Sequence, residues 1–165
     1  MQKKICLMGA FAVGKTSLVA RFVRSIFAEK YHTTLGVKID KKIVATAHGE
    51  VILMIWDLAG EDEFIGVDLK YMRGAAGYLV VADGTRRSSL ERAVALQARI
   101  CERLGSVPFI LLINKVDLEE SWEIENADLE ELSARGWRIL RTSAKSGQGV
   151  EAAFISLAAS LLPPP

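Results

Sequence analysis

The chain has 165 residues, a formal net charge of +1 at pH 7 and 50% hydrophobic residues. This length suits one compact domain, and the composition allows that domain to bury a core. The balanced charge argues against nucleic acid as a partner, since nucleic-acid surfaces carry excess Lys and Arg. Two histidines cannot supply the spacing of a zinc site, and we expect Cys6 and Cys101 to be free, buried thiols.

The first predicted strand covers residues 4–8, and a pattern with helical spacing begins at Ser17. The glycine-led loop between them reads Gly9-Ala10-Phe11-Ala12-Val13-Gly14-Lys15-Thr16. This spacing is typical of a P-loop, in which backbone N–H groups and a helix N-terminus bind phosphate. Lys15 would then place a positive charge on the β- and γ-phosphates, and Thr16 would offer its hydroxyl to Mg²⁺. The alternative is an ordinary strand–turn–helix that contains Gly-Lys-Thr by chance.

Strands and helices alternate along the rest of the chain. Further strands are predicted at residues 37–46, 51–56, 78–82, 109–113 and 137–140. Further helices are predicted at residues 88–104, 126–135 and 150–162. Short runs that are apolar on both faces are typical of central parallel strands covered by helices. The sequence therefore predicts one α/β domain over residues 1–165, with a mostly parallel sheet of about six strands and helices on both faces.

Ligands of such sheets bind beyond the carboxyl ends of the strands, so the residues at those ends matter most. Asp57 follows the strand at 51–56 and is a candidate Mg²⁺ ligand, directly or through water. Gly60 can present its backbone N–H to a γ-phosphate without steric hindrance. An ordinary Asp turn is an equal alternative for this segment.

The segment Asn114-Lys115-Val116-Asp117 follows the strand at 109–113 and indicates the base. Guanine offers two adjacent donors, N1–H and the 2-amino group, and the single carboxylate of Asp117 can accept both. Adenine has no such pair on that edge. Asn114 is expected to tie loops together and reach N7, while the aliphatic stem of Lys115 covers the ring. A helix cap or turn is the alternative.

The last predicted strand leads into Thr142-Ser143-Ala144-Lys145. The Ala144 N–H is expected to donate to guanine O6, and Ser143 to brace Asp117. Taken alone, this motif is weak evidence for a guanine site. It is stronger evidence as the last of the motifs that follow one another along the chain. The predicted nucleotide contacts within these motifs are Phe11, Ala12, Val13, Gly14, Lys15, Thr16, Ser17, Gly60, Asn114, Lys115, Asp117, Ser143, Ala144 and Lys145.

These motifs, in this order and over essentially the whole chain, resemble the small GTPases of the Ras superfamily, most closely the Rab branch. The Rab-like segments are residues 31–37, 56–64 and 73–78. The resemblance implies a P-loop small G-protein fold, GTP and GDP as ligands, and Mg²⁺ as cofactor. It implies a GTP/GDP molecular switch with slow Mg²⁺-dependent hydrolysis.

The resemblance also assigns residues that spacing alone did not. Thr34 matches the switch threonine that binds Mg²⁺ and the γ-phosphate, Phe27 the aromatic at the guanine edge, and Tyr31 a tyrosine near the phosphates. Core packing at a helix end is the alternative for Phe27. Residues 29–37 and 60–72 would form the two switches that contact effector, exchange-factor and activating proteins. The implied catalytic residues are Lys15, Thr34, Gly60 and Glu61, and the implied metal ligands are Thr16, Thr34 and Asp57.

Two residues depart from the family pattern. Phe11 stands where Ras has glycine, and its bulk predicts interference with a partner's arginine unless the ring folds away onto the switch region. Glu61 stands where a glutamine orients the attacking water, and its charge near the γ-phosphate predicts slow intrinsic hydrolysis. Two alternatives stay open: Glu61 acts as a general base, or the protein is a GTP-bound scaffold that hardly turns over. A P-loop ATPase or kinase is disfavoured by Asp117 and Ala144.

The sequence shows no signal peptide, no membrane-spanning apolar run and no lipidation motif at residues 161–165. We therefore expect a soluble, cytoplasmic protein with no direct membrane anchor, recruited to membranes only through a partner, or else a fragment of a longer protein. Trp122 lies in a polar stretch, and an exposed indole there would be a candidate contact.

Overall fold

The computed structural model of the protein describes residues 1–24, 29–32, 37–58 and 67–165, with the backbone alone at 29–32, 67 and 68. The strands in these ranges are β1 (Gln2–Gly9), β2 (Glu29–His32), β3 (Lys38–Thr46), β4 (Gly49–Asp57), β5 (Gly77–Asp83), β6 (Phe109–Asn114) and β7 (Ile139–Thr142). The helices in these ranges are α1 (Lys15–Phe22), α2 (Arg87–Leu104), α3 (Asn126–Ala134) and α4 (Val150–Ser160), with 3₁₀ helices at Val67–Met72 and Val116–Ser121.

Within the described ranges, the seven strands form one sheet in the order β2-β3-β4-β1-β5-β6-β7. Every pair from β4 to β7 is parallel, while β2, β3 and β4 pair in antiparallel fashion. The six predicted strands are all present, and the α/β class with a mostly parallel sheet is confirmed. The short strand β2 at the sheet edge was not predicted.

The last strand begins two residues later than the sequence predicts, at Ile139 instead of Trp137. Trp137 is only 8% exposed, and its ring meets that of Phe109 edge-on with centroids 5.1 Å apart. The aromatic pair therefore occupies the entry to β7 before regular strand pairing begins at Leu111 and Ile139.

Alternate side chains of β1 enter two separate apolar layers. Ile5 and Leu7 join the layer that contains residues of α1 and α4, where the rings of Phe22 and Phe154 stack with centroids 4.2 Å apart. Cys6 joins the opposite layer, with residues of α2 and α3. Helices therefore cover both faces of the sheet. None of the helices in the described ranges has the length and apolar composition of a membrane-spanning segment.

The two cysteines are free, but only one of them is buried. Burial raises the pKa of the Cys6 thiol to about 12, against the opposing charge of Lys4. The prediction of burial is wrong for Cys101, which is exposed. The reason is helix geometry: Ile100 points into the core, and the next residue of α2 is turned about 100° away from it.

The Phe22–Phe154 stack predicts a large stability effect at Phe154, which is fully buried. Replacing Phe154 by Ala leaves a cavity opposite Phe22, so we expect the free energy of unfolding to fall by about 3–5 kcal/mol. Urea denaturation followed by circular dichroism measures it. Ile43→Ala, at a site 54% exposed on β3, is the control and should change stability by no more than about 0.5 kcal/mol. Equal effects at the two positions would contradict this account of the core.

Candidate functional site

Five parallel strands end at the same edge of the sheet, which is where ligands of such sheets bind. These end residues are Gly9, Asp57, Asp83, Asn114 and Thr142. The sequence predicted a role for the ends of β1, β4, β6 and β7, and it overlooked Asp83 at the end of β5.

The loop after β1 leads directly into α1, whose N-terminus has no side-chain cap. The first N–H groups of a helix have no intrahelical partner and lie at the positive end of its dipole, so they attract an anion. Gly14 allows the turn: its φ is +103°, and a Cβ there would lie 2.3 Å from Asn114 Nδ2. Lys15 is only 4% exposed, and its Nζ donates to the carbonyls of Gly9 and Ala10, each at 2.9 Å.

Two adjoining clefts follow this loop along the sheet edge. The first, of about 440 Å³, is lined by Phe11, Ala12, Gly14, Lys15, Thr16, Ser17 and Lys115. The second, of about 390 Å³, is lined by Gly14, Ser17, Asn114, Lys115, Asp117, Leu118, Ala144 and Lys145. Because they share Gly14, Ser17 and Lys115, one elongated ligand can occupy both. The predicted residues Val13 and Ser143 support this site from behind: Val13 is fully buried, and so is Ser143.

The side chain of Asn114 connects the walls of the two clefts. It is 2% exposed, and its Nδ2 donates to the Val13 carbonyl at 2.9 Å. Its Oδ1 accepts hydrogen bonds from Thr142 Oγ1 at 3.1 Å and from the Ala144 N–H at 3.2 Å. The predicted contact from the Ala144 N–H to a base therefore requires this long hydrogen bond to be shared or exchanged.

Asp117 lies exposed in the wall of the second cleft. Ser143 Oγ donates to Asp117 Oδ1 at 2.7 Å, and Ser143 Oγ in turn accepts from the Ser146 N–H at 3.0 Å. This is the bracing contact that the sequence predicts. A carboxylate has about four acceptor positions, so one bond from Ser143 leaves room for two donors from a ligand.

Thr16 and Asp57 meet beside the first cleft. Thr16 Oγ1 donates to Asp57 Oδ2 at 2.6 Å, and Asp57 is 2% exposed. Among the described residues, Asp57 Oδ1 has no hydrogen-bond partner. A buried carboxylate oxygen without a donor is costly unless a cation or water satisfies it. An oxygen-rich pair of this kind fits Mg²⁺, which prefers hard oxygen ligands and retains several waters.

Phe11 lines the first cleft and is 58% exposed. The predicted residues Phe27, Thr34, Gly60 and Glu61 lie outside the residues that the structure describes. Tyr31 lies on β2, where its backbone pairs with Ile39.

Trp122 is half-buried, so it is not the exposed candidate contact considered from the sequence. Its Nε1 donates to the Lys115 carbonyl at 2.8 Å. Its ring lies so close to Gly84 that a Cβ on that glycine would be 2.1 Å from it. The indole therefore packs against Gly84 and supports the Asn114–Asp117 segment.

Arg21, on α1, contacts the segment that lines the second cleft at Lys145, and the sequence did not predict this contact. Its guanidinium donates to the carbonyls of Lys145 at 3.3 Å and Ser146 at 2.8 Å. The residues are more than 120 positions apart in sequence, so no local pattern indicates the contact. It connects α1 to the segment that follows Ser143.

Comparison with known proteins agrees with this geometry. Residues 4–162 match the model of the Ras family. The chain is 34% identical over 161 residues to the Ras-related protein Rab-13 of Bos taurus, covering 96% of this chain and 79% of that protein. It is 36% identical over 162 residues to Rab-13 of Rattus norvegicus, with 96% and 79% covered. It is 34% identical over 163 residues to Rab-5A of Dictyostelium discoideum, with 97% and 81% covered.

The double contact of Arg21 predicts an effect on ligand release. In Arg21→Met, the segment after Ser143 loses two hydrogen bonds from a charged donor, so a bound guanosine diphosphate should dissociate about tenfold faster. Stopped-flow fluorescence with a labelled diphosphate measures the rate. Arg103→Met, at an exposed position on α2, is the matched control and should leave the rate unchanged. Equal rates in the two variants would exclude a positioning role for Arg21.

Proposed function

Because this chain belongs to the Ras family of small GTPases and is Rab-like in sequence, we propose that its two clefts bind GTP and GDP with Mg²⁺. We further propose that the protein acts as a switch that hydrolyses GTP slowly. The observation that carries the proposal is the position of Asp117, a carboxylate braced by Ser143, one cleft away from the N-terminus of α1.

Guanine fits the second cleft because its edge matches the groups present there. Asp117 is positioned to accept the N1–H and the 2-amino group in charge-assisted hydrogen bonds. The stem of Lys115 lines both clefts and can cover the ring. An adenine base would leave the carboxylate without donors, and such a mismatch is strongly disfavoured in a desolvated site.

The phosphates would occupy the first cleft, at the N-terminus of α1. Lys15 holds its ammonium group there, and the uncapped N–H groups of the helix add hydrogen-bond donors. Thr16 and Asp57 would hold Mg²⁺, which when bound neutralises charge on the β- and γ-phosphate oxygens. Thr34 and Gly60, on the two switch segments, are the residues we propose to respond to the γ-phosphate.

The switch segments at 29–37 and 60–72 are the surfaces we propose for effector, exchange-factor and activating proteins. Phe11 and Glu61 are the residues we propose to slow hydrolysis. The exposed ring of Phe11 stands beside the phosphate cleft, where an activating arginine would enter. This same ring supports the second candidate function, a GTP-bound scaffold that recruits partners and turns over little.

Replacing Asp117 by Asn tests the base assignment. The amide presents a donor where guanine also presents donors, so GDP should bind about 100-fold more weakly or worse, since two charge-assisted hydrogen bonds are lost. Xanthosine diphosphate carries a carbonyl in place of the 2-amino group, so its affinity should rise. Titration calorimetry with both nucleotides in the presence of Mg²⁺ measures the change.

Glu120→Gln is the matched control, because it removes one exposed carboxylate from the same 3₁₀ helix without touching the cleft lining. It should leave both affinities as they are. If the wild-type protein, folded and free of prebound ligand, does not bind GDP, the proposed function is wrong.

Replacing Glu61 by Gln tests the cause of slow hydrolysis. Glutamine restores a neutral group that can orient water, so single-turnover hydrolysis of GTP should accelerate at least about tenfold, or 1.4 kcal/mol of barrier. Quantifying GDP by chromatography after mixing with Mg²⁺ gives the rate, and Glu63→Gln serves as the charge control. An unchanged or slower rate in Glu61→Gln would contradict Glu61 as the cause of slow hydrolysis, and a slower rate would favour Glu61 as a general base. Absence of turnover in both wild type and Glu61→Gln would favour the scaffold.

A further inference from the structure

Asp83, the last residue of β5, carries a carboxylate and is 1% exposed. It lies behind residues 9–16, the loop between β1 and α1 that we propose to bind phosphate and call the phosphate loop. Its Oδ1 accepts hydrogen bonds from the Thr85 N–H at 2.8 Å and Thr85 Oγ1 at 2.7 Å. Its Oδ2 lies 2.7 Å from Lys115 Nζ and 3.7 Å from Arg86 Nε. One oxygen therefore stabilises its own turn, and the other faces two cations.

The carboxylate of Asp83 stays ionised. Burial alone would raise its pKa, but hydrogen bonds from Lys115 and Thr85 and the charge of Lys115 outweigh burial and hold the pKa below its ordinary value. A buried charge of this kind needs its cations in place. Asp83 therefore restricts where the side chains of Lys115 and Arg86 can lie.

Each of these cations also holds a carbonyl of the phosphate loop. Arg86 Nη2 donates to the Phe11 carbonyl at 2.6 Å, and Lys115 Nζ donates to the Ala12 carbonyl at 3.3 Å. A trans peptide is planar, with its C=O and N–H on opposite sides. Fixing these two carbonyls therefore turns the next two N–H groups, those of Ala12 and Val13, to the opposite side of the loop.

We propose that Asp83 is a positioning residue that orients Lys115 and Arg86 onto consecutive carbonyls of the phosphate loop and so sets the residence time of the bound guanine nucleotide. The inference rests on the proposed function for its ligand. It assigns Arg86 a role in the site, although its side chain is 39% exposed and its hydrogen bond to the loop is made to the backbone of Phe11. Base selectivity stays with Asp117.

The test removes the charge of Asp83 while keeping its shape. In Asp83→Asn the amide oxygen can still accept from Thr85, but the attraction that orients the two cations is lost. We expect labelled GDP to dissociate about tenfold faster in the presence of Mg²⁺. The ratio of GDP to inosine diphosphate affinity should stay unchanged, because inosine lacks only the 2-amino group that Asp117 recognises.

Asp128→Asn is the matched control, since it breaks a different ion pair, with Arg87 at 2.9 Å, away from the clefts. It should leave the dissociation rate within twofold of wild type. The proposal would be overturned if the ratio of GDP affinity to inosine diphosphate affinity in Asp83→Asn fell by the same factor as the affinity for GDP. Such a result would place the effect of Asp83 at the base.

Arg86→Gln provides a second variant. Arg86 is partly exposed, so its replacement should disturb folding less than replacement of the buried Asp83. We expect it to accelerate dissociation about threefold alone, and to add less than that in the Asp83→Asn background, because Asp83 and Arg86 act through one path. The role of Asp83 would be overturned if the double variant accelerated GDP dissociation by the product of the two single-variant factors, or if both single variants dissociated GDP at the wild-type rate. Either result would leave the proposed function intact. Failure of the wild-type protein to bind GDP would instead contradict the proposed function.

Discussion

The carboxamide of Asn114 is the contact on which the geometry of the whole site depends. A carboxamide combines two donors with an acceptor that has two lone pairs, and here it makes hydrogen bonds to three residues. It joins the loop at Val13, the end of β7 at Thr142 and the backbone at Ala144. At 2% exposure these bonds have little competition from water. One buried side chain therefore connects the walls of the first and second clefts.

Two buried carboxylates act differently on either side of this contact. Asp57 has one oxygen bound to Thr16 and one without a partner among the described residues, a state that invites a cation. Asp83 has both oxygens engaged, by Thr85 and by two cationic side chains. The protein itself neutralises Asp83, whereas one oxygen of Asp57 has no hydrogen-bond partner among the described residues. This contrast explains why the carboxylate of Asp57 suits a metal ion and that of Asp83 does not.

The sequence predicts those parts of the structure that depend on local patterns. Apolar runs located the central strands, and the rule that ligands bind at strand ends led to Asp57 and Asn114. Asp83 obeys the same rule and was overlooked because no familiar motif surrounds it. The edge strand β2 carries no apolar alternation and forms only by pairing with β3, so its sequence has no signal. Arg21 binds carbonyls more than 120 positions away, and Trp122 binds a carbonyl seven positions before it. Residue type and spacing encode neither contact.

Backbone strain in the described residues is concentrated at the same place. Ala12, with φ of 60°, and Lys115, with φ of 75°, are the two non-glycine residues there with a left-handed backbone. Each costs about 1–2 kcal/mol relative to an ordinary conformation, and such strain persists only where surrounding contacts enforce it. Here the two strained residues contact each other, since Lys115 Nζ donates to the Ala12 carbonyl. Asp83 holds the ammonium group of Lys115 in place. A glycine at position 12 would adopt this φ without help, so the chain's use of alanine makes the loop depend on the partly buried ammonium group of Lys115.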